Sequence, residues 1–196
     1  MKKSIILAMV IASAVLGGCA GNGELIRNMR TSNRHDVFQE LPKSGPIPSG
    51  YADLRIVSSL KTHRPGIYSI KDIHGTPEYR LLISIDGQAT QMPGDLLEEN
   101  SEARGLRDPE AGEGIRYRFS KNLRLKAGTH KIVIAILEDE IAVEREITLA
   151  EGSSNSLELK PIYRAAPGKR RPGFYGVTSF MEGIKGFGVN FNGKSL

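Results

Sequence analysis

Apolar and polar side chains alternate along most of the chain from residue 51 onward. The clearest case is "GIRYRFS" at 114–120, where Ile115, Tyr117 and Phe119 share one side and basic or hydroxyl side chains share the other. This two-residue period is typical of a strand with one buried and one solvated face. No segment after residue 51 keeps a helical period, so the pattern predicts an all-β fold.

One segment, "KIVIAIL" at 131–137, is apolar on both faces, which predicts a strand in the middle of a sheet. Pro161 lacks a backbone N–H, so the strand that contains it is expected at a sheet edge. Short strands separated by turn residues complete the pattern. Together they predict an antiparallel β-sandwich over residues 51–163, a length sufficient for one hydrophobic core.

The first eighteen residues have a different pattern. Lys2 and Lys3 precede an uncharged, mostly apolar run over residues 4–16, and glycines follow it. As a helix this run would be ~20 Å long, shorter than the ~30 Å hydrocarbon core of a bilayer. A basic head, an apolar centre and small residues at the end are the parts of a secretory signal peptide. The alternative, a buried helix of the body, would normally keep a polar face. We therefore expect residues 1–18 to be removed on export.

The apolar run ends in Leu16-Gly17-Gly18-Cys19, which contains the only cysteine of the chain. This motif resembles the lipobox of bacterial lipoprotein precursors. The resemblance implies cleavage between Gly18 and Cys19, a diacylglycerol linked to the Cys19 thiol, and anchoring in the membrane through its acyl chains. It also implies a cell-envelope location. Because Ala20 rather than aspartate follows the cysteine, it implies the outer membrane if the host is Gram-negative.

Residues 19–50 are predicted to form a flexible, lipidated tether. Apolar residues are sparse there, and the segment ends in a stretch rich in proline, glycine and serine, which disfavours helix and strand. Leu25, Ile26 and Met29 allow one short helical turn, but we expect them to contact neighbouring surface only weakly. Such a tether would let the body stand away from the membrane.

Three segments of the body resemble a PEGA-type β-sandwich module: "LLISIDGQ", "LRLKAGTHKIVIAI" and "REITLAEGSSNSLELKPI". The shared pattern is a strand ending in Asp-Gly, a leucine-rich strand, a Gly-Thr-His turn, a central strand and a final hairpin through a glycine. The threonine and proline that follow Asp-Gly in the family are absent, and residues 89–113 intervene. The resemblance implies a binding or scaffolding role in the cell envelope and carries no catalytic residue.

The intervening residues 89–113 carry seven acidic side chains against Arg104 and Arg107, a net charge of −5. A segment of this length and composition is expected to be a solvated acidic loop, which allows one helical turn over residues 95–104. A calcium site is excluded, because the Asp-x-Asp-x-Asp-Gly spacing is absent.

Residues 164–196 are predicted to be a basic tail, because this segment contains six basic side chains and a single acidic one, Glu182. A solvated link is the favoured interpretation. The alternative is that Lys169, Arg170 and Arg171 contact anionic lipid or polysaccharide, at ~1 kcal/mol per basic residue near a charged surface. Nucleic acid is not an expected partner for an exported protein.

The tail also contains "GVNFNGKS" at 188–195, which fits the phosphate-binding string G-x-x-x-x-G-K-[ST]. That loop requires a following helix whose N-terminus meets the phosphates, and only Leu196 remains after the string. Phe187, Val189 and Phe191 alternate instead. We therefore predict a terminal strand that ends in an Asn-Gly turn and adds to a sheet edge.

Motifs for catalysis or metal binding are weak. The four histidines, His35, His63, His74 and His130, are widely separated and include no His-x-x-x-His pair, so no metal site is predicted. No Gly-x-Ser-x-Gly motif is present. The sequence therefore predicts a lipid-anchored envelope lipoprotein, without catalytic residues or cofactor, whose sandwich binds or scaffolds an envelope protein or polysaccharide. An envelope hydrolase with a site on the sandwich loops is the alternative.

Overall fold

The computed structural model describes residues 20–31, 34–41, 45–104, 108–165 and 178–196. One helix, eleven strands and a single 3-10 turn at Phe180–Glu182 occupy these ranges. Their bounds are α1 Ala20–Thr31, β1 Phe38–Leu41, β2 Tyr51–Thr62, β3 Leu81–Ile85, β4 Gln88–Met92, β5 Asp95–Ser101, β6 Gly112–Lys126, β7 Gly128–Ile136, β8 Ile141–Leu149, β9 Ser154–Tyr163, β10 Ile184–Phe191 and β11 Lys194–Ser195.

The strands form two sheets, which confirms the predicted all-β, sandwich-like fold. The larger sheet has the order β1-β6-β2-β9-β10-β11, with β5 also paired to β6. The smaller sheet has the order β4-β3-β7-β8. All strand pairs are antiparallel except β2 with β9, which run parallel from Asp53 to Ser58. Strand β2 pairs with β6 along all twelve of its residues, so these two strands form the centre of the larger sheet.

Large apolar side chains from both sheets fill the space between them. Ile56 of β2, Ile83 of β3 and Ile134 of β7 are fully buried there. Tyr117 and Phe119, two of the residues whose alternation predicted β6, are also buried in this core. Because a fully buried side chain of this kind contributes ~1.5–3 kcal/mol, this shared core holds the two sheets together.

Strand β7 is buried on both faces, as its sequence predicts. Ile132 and Ile134 face the core between the sheets. Val133 and Ala135 face outward and pack with Met29 of α1, which is only 4% exposed. The helix therefore covers the outer face of the smaller sheet.

The predicted flexible tether is wrong for its described part. Residues 20–31 form α1, and Phe38–Leu41 pairs with β6 as strand β1. Leu25 and Ile26 join Met29 at helical spacing and give α1 one apolar stripe. The outward-facing side chains of β7 supply the partner for this stripe, and that partner is not visible in the helix sequence itself.

The predicted acidic loop is also corrected. Residues 89–113 contain most of β4, all of β5 and the start of β6, and β5 replaces the helical turn that the sequence allowed. Strand β5 pairs antiparallel with β6 from Asp95 to Ser101. Its leucines Leu96 and Leu97 remain partly exposed. Because the segment is acidic and its apolar residues are not buried, the sequence did not show that it forms an additional edge strand.

Strand β9 is not at an edge, because it pairs with β2 on one side and with β10 on the other. The pairing with β2 ends at Leu159, so Pro161 lies beyond it. The predicted terminal strand is confirmed as β10, and Phe187 and Val189 are buried.

The phosphate-binding string forms a hairpin instead of a loop that opens a helix. Asn192 and Gly193 have φ values of 50° and 80°. Two left-handed residues between paired Phe191 and Lys194 are characteristic of a tight hairpin of the Asn-Gly type. The lysine of the string is exposed on the short strand β11.

Removal of the Phe187 ring should destabilise the fold by about 3–5 kcal/mol, because it leaves a cavity in the core. Lys194→Ala should change the free energy of unfolding by no more than about 0.5 kcal/mol. Urea unfolding followed by circular dichroism measures both variants. An equal loss for Lys194→Ala would contradict a packing role for this strand.

Candidate functional site: a histidine–aspartate cluster

The loop over residues 63–80 joins β2 to β3 and turns back on itself. Gly75 allows this turn with a φ of 78°, and a Cβ at that position would lie 2.6 Å from Pro65 Cδ. An L-residue is therefore disfavoured here by both backbone conformation and space. The turn brings Asp72 and His74, in the second half of the loop, against the end of β2.

Five side chains form one hydrogen-bonded chain at this end of the sandwich. His63 Nε2 lies 2.5 Å from Asp72 Oδ2, and His74 Nδ1 lies 2.5 Å from Asp72 Oδ1. The other nitrogen of His74 lies 3.2 Å from Asp139 Oδ1, in the turn between β7 and β8. The Tyr79 hydroxyl donates to Asp139 Oδ2 at 2.6 Å. The chain therefore links the loop to both sheets.

Burial and hydrogen bonds together set the pKa values of the groups in this cluster. Burial alone would raise the pKa of Asp72, but hydrogen bonds from His63 and His74 outweigh it and hold this pKa at about 2. Burial would lower the pKa of His74, but its hydrogen bonds to Asp139 and Asp72 raise it. Burial and the adjacent Asp139 raise the pKa of Tyr79 well above 10, so its hydroxyl stays a donor. Asp72 is therefore an anion over the physiological pH range.

Aromatic rings support the cluster from two sides. The ring of Tyr68 meets His63 edge-on at 4.7 Å between centroids. On the core side, the centroids of His74 and Tyr79 are 4.8 Å apart, and Tyr117 follows Tyr79 at 5.2 Å. Both of these tyrosines are fully buried. The imidazoles are thus held between rings that restrict their rotation.

The fold brings together side chains that could bind a metal ion, although the sequence predicted no metal site. The sequence separates the four histidines, but the fold brings ligand atoms of His63, Asp72 and His74 within 4.8 Å of one another. His130 is engaged elsewhere, with Asp86 Oδ2 at 2.7 Å, and His35 is exposed. The one cue in the sequence was that His63 and the pair Asp72 and His74 lie in the same segment between two predicted strands.

A second buried polar network surrounds Lys61, which is fully buried. Its ammonium donates to Ser101 Oγ at 2.8 Å and to the carbonyls of Glu110 and Gly112 at 3.0 and 2.5 Å. Burial lowers the pKa of Lys61, but three acceptors match the three protons of the charged form. Ser101 in turn donates to the Glu110 carbonyl at 2.7 Å. Lys61 thus connects Ser101 at the end of β5 with Glu110 and with Gly112 at the start of β6, and its charged form has no lone pair with which to activate Ser101.

A third polar feature is a groove of about 340 Å³ at the start of β2. Its polar groups are largely engaged with partners. Asp53 pairs with Arg124 at 2.7 Å, and Asn192 donates to Asn155 at 2.9 Å. The groove is lined by Leu41, Asp53, Leu54, Arg55, Asn122, Ser154, Asn155, Ser156 and Asn192.

The sites predicted from the sequence motifs lie outside the described residues. These are the cleavage and lipid-attachment residues Gly18 and Cys19, and the basic residues Lys169, Arg170 and Arg171. Among the described helices, none combines the length and apolar character needed to cross a bilayer. Compared with known protein families, curated proteins and solved structures, the chain matches none.

The Lys61 network predicts a specific stability effect at Tyr163. The Tyr163 hydroxyl accepts from the Lys61 backbone N–H at 2.8 Å and donates to Glu110 Oε1 at 2.6 Å. Tyr163→Phe leaves both groups without this partner and should cost about 1–3 kcal/mol. Tyr68→Phe removes only an exposed bond to the Met181 carbonyl and should cost less than about 0.5 kcal/mol. Equal unfolding midpoints of the two variants in urea would contradict this assignment.

Proposed function

We propose that this chain is a lipid-anchored lipoprotein of the bacterial cell envelope whose β-sandwich binds or scaffolds another envelope component without catalysis. The observation that carries the proposal is Leu16-Gly17-Gly18-Cys19 behind the basic and apolar segments of a signal peptide. Each buried methylene contributes about 0.8 kcal/mol, so two or three acyl chains on Cys19 would make a lasting anchor. In a Gram-negative host, the absence of aspartate at Ala20 favours the outer membrane.

The resemblance to PEGA-type modules supports the scaffolding part of the proposal. Its three segments correspond to β3, to β6 with β7, and to β8 with β9. Strands β6 and β9 belong to the larger sheet and β7 and β8 to the smaller, so each of the last two segments crosses between the sheets and does not form the final hairpin of the family pattern. The turns that it requires contain Gly87, Gly128 and Gly152, all with positive φ. An envelope protein or polysaccharide is the partner that this similarity favours.

Helix α1 gives the proposed anchor a position on the body. Arg34 Nη1 donates to the Asp86 carbonyl at 3.0 Å, and the N–H of Phe38 donates to Gln88 Oε1 at 3.0 Å. Arg34 is three positions after Thr31, a distance of at most about 11 Å along the chain, so α1 ends near the β3–β4 turn. A helix of twelve residues is ~18 Å long, and its apolar stripe packs with Leu82, Leu137 and Ala142, which lie toward the opposite end of the smaller sheet. The start of α1 at Ala20 would then lie at the end of the sandwich that carries the 63–80 loop.

The tip of the 63–80 loop has the chemistry of a membrane contact. Ile67, Tyr68 and Ile70 are 52%, 62% and 101% exposed, although all three are large and apolar or aromatic. Lys71 flanks them with positive charge, whereas Arg64 is paired with Glu98 and Glu113 at 3.5 and 3.8 Å. Tyrosine beside apolar and basic side chains suits the headgroup region of an anionic bilayer. The loop would hold this end of the sandwich against the membrane in which Cys19 is anchored.

Replacement of the lipidated residue should release the protein. Cys19→Ser removes the thiol that carries the diacylglycerol, and the loop alone is too small for lasting attachment. We expect the variant to leave the membrane fraction after a salt wash, while a Ser13→Ala control within the signal segment stays there. A Cys19→Ser protein that remains in the washed membranes would contradict the anchor.

The orientation is tested separately from the anchor. In the lipidated protein the only natural thiol is blocked, so Ile70→Cys can carry one environment-sensitive fluorophore. In anionic vesicles, lipids with a bromine quencher should quench the label at residue 70 but not a label at Ser195→Cys, at the far end of the larger sheet. Equal quenching at both positions, with the protein still vesicle-bound, would reject the membrane contact and leave the loop available to a protein partner.

A further inference from the structure

We propose that His63, Asp72 and His74 bind one divalent transition-metal ion of the zinc class. Imidazole nitrogen and carboxylate oxygen are preferred ligands of such ions. The site goes beyond the proposed function, because neither the anchor nor the scaffold requires it. Three ligands from one loop would leave a further position on the ion for water or for a side chain of a partner.

The distances fit this ligand set after a small rotation. Each oxygen of Asp72 faces a different imidazole at 2.5 Å, a separation that suits a shared proton. Two ligands with metal bonds of about 2.0–2.1 Å in a tetrahedral site are about 3.3 Å apart. The two imidazoles therefore need to move away from Asp72 by less than 1 Å, and the most widely separated ligand atoms, which lie within 4.8 Å, need to approach each other by about 1.5 Å. The partly exposed His74 ring, at 18%, offers an entry path.

The surroundings of His74 provide an independent indication of a metal ligand. A metal-bound histidine normally donates its other N–H to a carboxylate, which fixes the ring and raises its basicity. With Nδ1 directed at the ion, His74 Nε2 would donate to Asp139, 3.2 Å away. Asp139 is itself held by the Tyr79 hydroxyl at 2.6 Å. The turn between β7 and β8 thus supplies the supporting carboxylate that such a site requires.

His63 contributes a buried ligand atom. The ring is only 5% exposed and has its Nε2 aimed at Asp72. Its Nδ1 is the one side-chain nitrogen or oxygen atom among the described residues that is buried without a hydrogen-bond partner. Nε2 is therefore the atom that His63 can offer to the ion, and His63 has no supporting carboxylate of the kind that Asp139 gives His74.

The test uses the full-length protein in detergent, stripped with a chelator and then dialysed against Zn²⁺ or Co²⁺. We expect one Zn²⁺ per chain by elemental analysis, a raised melting temperature, and visible Co²⁺ bands of a four-coordinate site. Asp72→Asn should abolish retention. His130→Gln is the matched control, because it removes a histidine that also contacts an aspartate but lies outside the cluster.

Asp139→Asn separates a metal site from a purely structural loop clamp, and it also decides the question if Asp72→Asn fails to fold. It leaves all three ligands in place and should weaken Zn²⁺ affinity by about 10- to 100-fold, measured against a competing chelator. No retained Zn²⁺ in the wild type would overturn the proposal. So would equal affinity in the wild type and Asp139→Asn.

Discussion

Burial of β7 on both faces is the constraint on which the rest of the structure depends. Ile132 and Ile134 pack between the sheets, whereas Val133 and Ala135 need cover on the outside. Helix α1 supplies this cover and so orders the segment that follows Cys19. The strand also ends in the turn that carries Asp139. Strand β7 thereby determines two positions. One is that of α1, which would follow the proposed anchor, and the other is that of Asp139, the carboxylate that supports the histidine cluster.

Two sets of buried polar groups are held at the edges of this core, and each is balanced differently. Lys61 is surrounded by acceptors that match its three protons, so its charge holds Ser101, Glu110 and Gly112 around one point. The histidine cluster has an anion, Asp72, between two imidazoles, and its protons can be exchanged for a cation. The first arrangement is complete without a ligand, whereas the second brings the ligand atoms of His63, Asp72 and His74 within 4.8 Å of one another. This difference is why the cluster, rather than the lysine network, is the candidate site.

The sequence predicted those elements whose burial follows a simple period. Alternation located β6 and β10, and the two-faced apolar run located β7 as an inner strand. It missed α1 and β5, because a short helix or an edge strand is stabilised by a partner distant in sequence and not by its own pattern. It also placed β9 at an edge from Pro161, although the pairing with β2 ends before that proline. The cluster was missed for the same reason, since a tight turn at Gly75 brings together side chains that the sequence separates.

The proposed lipid anchor would connect the helix, the loop and the proposed scaffold, and the intact mass of the protein extracted from its native membranes tests it most directly. A chain that begins at Cys19 and carries the added mass of a diacylglycerol on that residue is the predicted result. A chain that still begins at Met1, or one that begins at Cys19 without lipid, would contradict it.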